Sequence, residues 1–199
     1  MATNIAPQLV KELRELTGAG MMDCKNALVE ANGDKEKAKQ ILREKGLAKA
    51  VKRAGRTTAE GAVVSYIHPG NRIGVLLELD CETDFVAKTD EFLHLAHEIS
   101  MHIAAMSPLS VGPDQIPQDI LDKEKEIFKK QAEDTGKPAQ FIEKIVSGRV
   151  QKFYKENCLL KQEYTRDSKK TIEDVIKETI AKVGENITVR RFTRYEIGE

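Results

Sequence analysis

The chain contains no tryptophan, and aromatic residues make up only 5% of its 199 residues. Its core must therefore be built mainly from Leu, Ile, Val, Ala and Met, and an aromatic side chain left on the surface is a place to look for function. There is also no run of about 18 apolar residues, the length that a membrane-spanning helix needs. The first residues hold no apolar block between a basic start and a small-residue cleavage site, so we expect a soluble, cytoplasmic protein.

Cysteine is also scarce, because Cys24, Cys81 and Cys158 are the only three and lie far apart in the sequence. The chain has no C-x-x-C pair, the spacing typical of zinc knuckles and redox dithiols. We expect reduced thiols in the core or at the surface, and a disulfide between two chains stays open.

Neither sign of charge is in excess, because 32 basic residues balance 32 acidic ones. A chain without a basic surplus is a poor candidate for a general nucleic-acid-binding protein. Residues 1–56 nevertheless carry a formal charge of +5, and residues 57–199 a charge of −5. Residues 45–56 hold five cations and no acid. They form either a basic linker that meets an acidic partner or RNA phosphates, or a solvated helix end whose cations complement the dipole.

Helical spacing and capping residues predict three short helices within residues 1–54. Pro7 suits a first helical turn, and Gly18 and Gly33 suit helix ends. Asp34 stands where the third helix needs an N-cap. So small a bundle has a thin core, which favours a docking module over an independent enzyme.

Residues 55–199 are predicted to form an α+β core domain. Apolar residues that alternate with a period of two predict a hairpin from residues 62–68 and 72–81, and residues 187–197 most simply add a third antiparallel strand. Helical patterns occupy most of the chain between these strands, over residues 89–108, 117–136, 138–150 and 171–184. The second and third of them predict a helical hairpin. The fold class is therefore α+β, with a three-stranded antiparallel sheet covered by helices behind an N-terminal three-helix module.

The candidates for a metal site are three histidines on one predicted helix, His94, His97 and His102. An H-x-x-H pair can place two imidazoles on neighbouring turns, but no third ligand has an obvious spacing. The ordinary interpretation is partly exposed histidines on an amphipathic helix. Gly-x-Ser-x-Gly and G-x-x-x-x-G-K-S/T motifs are both missing. An enzyme hypothesis therefore has no nucleophile, metal cage or cofactor site to support it.

Two segments are not explained by packing alone. Residues 17–25 contain a glycine turn followed by two methionines that cannot both point into so small a core. We expect one of Met21 and Met22 to face outward beside Lys25 as a deformable apolar contact, although both could be partly buried.

The second segment is Thr83-Asp84-Phe85-Val86, which lies between a predicted strand and a predicted helix. Phe85 is either a plug for the end of the core or a projecting wedge with a carboxylate at its base. The residues alone leave both alternatives open.

Taken together, these segments resemble bacterial translation elongation factor Ts, and the similarity covers essentially the whole chain. Three motifs stand in the family's order: TGAGMMDCK at residues 17–25, TDFV at residues 83–86, and VGENI at residues 183–187. The chain is similar to a short form, because it has one core lobe where longer members carry two. The segment that contains His68 resembles the second lobe of those longer members.

The resemblance implies a guanine nucleotide exchange factor for the GTPase elongation factor Tu, with no covalent chemistry, no cofactor and no nucleotide site of its own. It implies that Met21, Met22 and Lys25 dock on the GTPase domain. It also implies that the motif at residues 83–86 enters near the bound magnesium, where Phe85 acts as a wedge.

The resemblance also implies a wider contact surface. Val183 and Gly184, with Glu185 and Asn186 nearby, would extend it, and His68 and His102 are weaker candidates from the likeness to the second lobe. The short forms are thought to be homodimers, which would give a 2:2 complex with elongation factor Tu.

A second class of function is also compatible with the residues. The three-helix module is similar to ubiquitin-associated bundles, and with the basic linker it could recruit a partner while the core serves as a scaffold. Such a non-catalytic docking adaptor would leave nucleotide release unchanged.

Overall fold

The computed structural model describes residues 5–134, 136 and 138–198. The chain divides into two compact units, each assembled from separate stretches of sequence. The first unit contains Met1–Ala62, Asp80–Leu95 and Ile176–Thr188, and the second contains Val63–Leu79, Ala96–Val175 and Val189–Glu199.

The predicted helices and strands occur in the predicted order. The α-helices of the described residues are α1 (Pro7–Thr17), α2 (Met21–Glu30), α3 (Lys35–Arg53), α4 (Asp84–Ala87), α5 (Asp90–Met106), α6 (Gln118–Glu133), α7 (Ala139–Asn157) and α8 (Ile172–Val183). The strands are β1 (Glu60–Ile67), β2 (Ile73–Cys81), β3 (Glu163–Tyr164), β4 (Asp167–Thr171) and β5 (Ile187–Glu196). Helix α4 and strands β3 and β4 are additional to the predicted elements.

Helices α1, α2 and α3 form the predicted three-helix module inside the first unit. Gly18 ends α1 in the left-handed conformation, with a φ of 68°, and its N–H donates to Arg14 O at 2.7 Å. Asp34 caps α3 by accepting from the backbone N–H of Lys37 at 3.0 Å. The module buries a small core of apolar side chains: Val10, Leu13, Cys24, Ala27, Leu28, Ala31 and Ala38.

Helix α3 continues through residues 45–53 of the basic segment and ends at Arg53. This agrees with the helix-end interpretation, since Lys52 and Arg53 lie in the last turn, where cations complement the dipole. Gly46 lies within this helix.

Strands β1, β2 and β5 form the predicted three-stranded antiparallel sheet, in that order. His68 N–H donates to Ile73 O at 2.9 Å across the turn that joins β1 to β2. Alternate residues of β2 are buried, namely Val75, Leu77, Leu79 and Cys81. This alternation is typical of a sheet with one face packed on a core.

Helices α6 and α7 form the predicted helical hairpin in the second unit, where Leu121, Val150 and Phe153 are buried. A second, two-stranded sheet of β3 and β4 was not predicted. Helix α8 ends at Gly184, as predicted, with a φ of 84°. The α+β fold class is confirmed, and among the described residues no helix combines the length and apolarity needed to cross a membrane.

Candidate functional site

Phe85 is the most exposed aromatic residue of the first unit, with 80% of its surface accessible to solvent. It lies on the single-turn helix α4, whose next two residues, Val86 and Ala87, are buried. Leaving a phenylalanine exposed forgoes about 1.5–3 kcal/mol of burial free energy. Of the two alternatives for Phe85, the projecting side chain is therefore correct, and Val86 is the residue that closes the core.

Thr83 anchors the base of this turn through contacts with Glu185. The Thr83 backbone N–H donates to Glu185 Oε2 at 3.0 Å, and the Thr83 hydroxyl donates to Glu185 Oε1 at 2.7 Å. The Thr83 hydroxyl oxygen also accepts from the backbone N–H of Val86 at 3.5 Å. The beginning of α4 is thus fixed to a residue 102 positions later in the chain.

The carboxylate of Glu82 connects the same two segments in the opposite sense, because it accepts from the segment that carries Glu185. Its Oε1 accepts from the backbone N–H of Asn186 at 2.7 Å, and its Oε2 accepts from the Arg56 guanidinium at 3.3 Å. The hydrogen bond from Asn186 is the main cause that lowers the pKa of Glu82 below its ordinary value. Buried Asn186 in turn donates from Nδ2 to Arg56 O at 2.9 Å.

Asp84 presents a carboxylate beside the exposed ring of Phe85. Lys88, one helical turn later, donates to Asp84 Oδ2 at 2.7 Å. This hydrogen bond and the charge of Lys88 hold the pKa of Asp84 below its ordinary value, and Asp84 raises the pKa of Lys88. Asp84 is therefore ionised at neutral pH.

The N-terminal module and the end of α8 meet within the first unit. A Cβ placed on Gly46 of α3 would lie 2.9 Å from the Cβ of Ala181 of α8, so the two helices approach closely where Gly46 has no side chain. Arg43 pairs with Glu178 at 3.4 Å on the same two helices. A Cβ on Gly18 would lie 3.8 Å from Lys182 Cγ. The motif at residues 17–25 is thereby brought beside the motif at residues 183–187.

Both methionines of the N-terminal motif are exposed, Met21 by 45% and Met22 by 65%. This agrees with the expectation that the two cannot both point into the core, because Cys24, Ala27 and Leu28 of α2 already fill it. Lys25 is also exposed. Helix α2 thus presents two deformable apolar side chains and a cation to solvent.

Val183 and Gly184 are half-buried at the end of α8. Gly184 adopts a left-handed conformation and its N–H donates to Ile180 O at 2.9 Å. Helix termination therefore explains why a glycine occupies position 184. The carboxyl end of α8 leads directly into Glu185, which holds Thr83.

The two histidines inferred from the second-lobe likeness lie in the second unit and differ in exposure. His68 is exposed, and its Nδ1 is 3.0 Å from the hydroxyl of Tyr66. A cavity of about 330 Å³ lies beside both side chains. His102 is fully buried, with Nε2 3.0 Å from Gln162 Oε1, and burial lowers its pKa. His102 therefore offers no surface for a partner in this structure.

The structure does not bring the three histidines together as a set of metal ligands. His97 packs edge-on against the ring of Tyr66, with centroids 5.5 Å apart, and His102 is engaged by Gln162. No cluster of three metal-ligating side chains occurs in the part of the chain that the structure describes. The three cysteines are buried free thiols, as expected for reduced core cysteines.

The contacts that hold the turn cannot be inferred from the sequence. The sequence gives no reason to connect Arg56 and Glu82 with this turn, and Glu185 is implied only as a neighbour of the contact surface. Their partners lie more than 100 residues away, except for the pair that Arg56 forms with Glu82. No local spacing could reveal them.

The first unit therefore presents exposed apolar side chains beside charged ones, a combination typical of interaction surfaces. A model of the family described as elongation factor TS matches residues 3–199. Elongation factor Ts of Fervidobacterium nodosum is 62% identical over 195 residues, which cover 98% of this chain and 99% of the relative. The chain is 63% identical to elongation factor Ts of Caldanaerobacter subterraneus subsp. tengcongensis, and the alignment covers 98% of both chains. It is 58% identical to elongation factor Ts of Carboxydothermus hydrogenoformans, where the alignment covers 98% of this chain and 90% of the relative. The chain belongs to the elongation factor Ts family, and its role is in translation elongation.

Proposed function

We propose that this chain is a guanine nucleotide exchange factor that binds GDP-loaded elongation factor Tu and promotes GDP release. The observation that carries the proposal is Phe85, an exposed aromatic side chain on a turn fixed at its base by Glu185. A rigidly held apolar side chain next to the ionised Asp84 is suited to enter a partner's polar site. The chain supplies no covalent step, and it acts in the cytoplasm, where translation takes place.

The target of Phe85 and Asp84 is the magnesium and phosphate site of the partner. Magnesium demands near-ideal octahedral geometry, and phosphates are held by backbone N–H groups in a defined loop. A displacement of a few tenths of an ångström there weakens both sets of contacts. In the proposal, the Phe85 ring displaces side chains of the partner, and the Asp84 carboxylate perturbs the binding of the ligands that surround the magnesium ion.

The same interactions set the thermodynamics of exchange. If this chain weakens GDP binding by some factor, GDP must weaken the binding of this chain by the same factor. A ten-thousandfold effect requires about 5.5 kcal/mol of differential binding. Such an amount is within reach of an interface that includes one aromatic anchor and one carboxylate.

Helix α2 is the proposed docking element, with Met21, Met22 and Lys25 as contacts. Its contiguity with Val183 and Gly184, through Gly18 and Lys182, supports a single surface that also includes the turn of Phe85. His68 is proposed as a separate contact from the second unit.

The direct test is release of a fluorescent GDP analogue from elongation factor Tu, with this chain at substoichiometric amounts. We expect faster release, and Met22→Ala should raise the half-saturating concentration. Val51→Ala is the matched control, because Val51 is 62% exposed on α3. A folded chain that binds elongation factor Tu without accelerating release would favour the docking adaptor.

We also propose that two copies associate through the outer face of the sheet. Val63, Ile67, Leu76 and Tyr195 are exposed large side chains on the strands of the second unit, and Val63 and Tyr195 are each 70% exposed. Arg191 pairs with Glu78 at 2.5 Å, which places the outward residues of β2 and β5 on one face. An apolar patch with a central ion pair fits a second copy of itself, because a two-fold axis brings identical surfaces together.

Sedimentation velocity tests this association. The unmodified chain should sediment as a dimer, and a Val63→Lys, Tyr195→Lys variant should sediment as a folded monomer. Val51→Lys provides the control for adding a charge to an exposed valine elsewhere. A monomeric unmodified chain at micromolar concentration would refute the homodimer and the 2:2 complex.

A further inference from the structure

We propose that Glu185 is a positioning residue that acts through Thr83 to hold Phe85 and Asp84 in one orientation before any partner arrives. Its kinetic consequence rests on the proposed exchange function. Glu185 thereby has a role inside the chain, whereas the family resemblance implies only that it lies near the contact surface.

Both oxygens of the Glu185 carboxylate are committed to Thr83. Oε2 accepts from the backbone N–H at 3.0 Å and Oε1 from the hydroxyl at 2.7 Å. Hydrogen bonds to an ionised acceptor are shorter and stronger than those between neutral groups. Because two hydrogen bonds join the same pair of residues, the carboxylate fixes the orientation of Thr83 as well as its position.

The remaining polar atoms of Thr83 are also engaged. Its carbonyl accepts from the Cys81 thiol at 3.1 Å and from the backbone N–H of Ala87 at 3.3 Å. Its hydroxyl oxygen faces the N–H of Val86 at 3.5 Å. The orientation imposed on Thr83 is therefore passed directly to the turn that carries Phe85.

Glu185 is itself held in place by its neighbours. The N–H of Asn186 donates to Glu82 at 2.7 Å, and the Asn186 side chain is tied to Arg56 O at 2.9 Å. Each segment thus gives a carboxylate to a backbone N–H of the other. This crossed arrangement prevents the segments at residues 82–83 and 185–186 from sliding past each other.

Because the turn is already ordered in the free chain, no conformational entropy has to be lost to order it when it enters the partner. Pre-organisation of this kind lowers the entropic cost of forming the active geometry. Loss of Glu185 should therefore slow release from the assembled complex without weakening docking through α2. A direct contact between Glu185 and the partner would have the opposite signature.

The first experiment measures order in the free chain. In ¹⁵N relaxation, the amide of Phe85 should have an order parameter of about 0.85 in the unmodified chain and below about 0.6 in Glu185→Ala. Glu173→Ala is the matched control, because Glu173 is also a half-buried, paired carboxylate, at 2.7 Å from Lys161. An unchanged order parameter in folded Glu185→Ala overturns the positioning role, whatever the exchange activity proves to be.

The second experiment separates docking from release. In stopped-flow release of a fluorescent GDP analogue, Glu185→Ala should lower the maximal rate about tenfold and change the half-saturating concentration less than about twofold. A raised half-saturating concentration with an unchanged maximal rate would identify a direct contact instead. A lower melting temperature with unchanged kinetics would identify a structural role only.

Two milder variants cover the case in which Glu185→Ala fails to fold. Glu185→Gln keeps one oxygen for the Thr83 N–H, and Thr83→Val removes only the hydroxyl; both should shift the order parameter and the maximal rate in the same direction by smaller amounts. No shift in either folded variant overturns the inference. If the unmodified chain does not accelerate release, the proposed function fails while the relaxation measurement still decides the role of Glu185.

Discussion

Replacing Phe85 by alanine should separate activity from stability more sharply than any other single change. Because 80% of the side chain is exposed, folding buries little of it, and the free energy of unfolding should change by no more than about 0.5 kcal/mol. Burying the same ring in a partner contributes about 1.5–3 kcal/mol. If that energy is used in the transition state for GDP release, its loss slows release by about 10- to 100-fold.

The assay is release of a fluorescent GDP analogue from elongation factor Tu, run beside urea unfolding of both proteins. Phe141→Ala is the control, since Phe141 is 48% exposed on α7 and lies outside the proposed site. Phe85→Ala should lose activity at full stability, and Phe141→Ala should keep its activity. Unmodified release rates with folded Phe85→Ala would refute the assignment of Phe85 as the wedge, and a large loss of stability would refute the reasoning from its exposure.

Other predictions concern stability. Gly46→Ala should lower the free energy of unfolding by about 1 kcal/mol, because its Cβ would lie 2.9 Å from Ala181 and the strain of overpacking exceeds the gain in helix propensity. Gly148→Ala in α7, where a Cβ would meet no atom within 4 Å, should raise it by a similar amount, and urea unfolding compares the two. Gly184→Ala should cost about 1–2 kcal/mol in the same assay, from its φ of 84° alone. Burial lowers the pKa of His102 from 6.5, so the unfolded chain takes up that proton first. Thermal stability should therefore fall as the pH drops below about 6.5, and this component should be missing in His102→Asn.

The elements that the sequence predicts well are those whose signals are local. Pro7, Gly18 and Asp34 mark helix boundaries through their own backbone or side-chain chemistry, and the alternation along β2 records a buried face. Strands β3 and β4 were missed because they are short and polar, with residues 168–170 reading Ser-Lys-Lys. Their positions depend on the surrounding fold and not on an apolar pattern.

Gly46 is a residue whose place in α3 depends on long-range packing. Glycine inside a helix costs about 1 kcal/mol relative to alanine, so helix propensity gives no reason for it there. The structure explains the residue by the close approach of Ala181, a contact between segments 135 positions apart in the sequence. Long-range packing overrides local propensity here.

The candidate site also has one part that local sequence indicates and another part that depends on long-range contacts. The sequence identifies Phe85, Asp84 and the two methionines as residues that packing does not explain, but it does not establish which of them are exposed. It also cannot show that Glu185 holds Thr83, since hydrogen bonds between distant segments leave no periodic pattern. The turn is recognisable from its residues, whereas its support is visible only in the fold.

The crossed carboxylates have a consequence for the order in which the chain is synthesised. Phe85 is translated 100 residues before Glu185, and α1, α2 and α3 are translated earlier still. Chains fold from the N-terminal side as they emerge, so the docking helix can be in place while the turn still lacks its support. We expect a growing chain to gain a properly oriented Phe85 only after Ile176–Thr188 has emerged and completed the first unit. Incomplete chains would then dock through α2 but leave nucleotide in place, which links competence in exchange to completion of the fold.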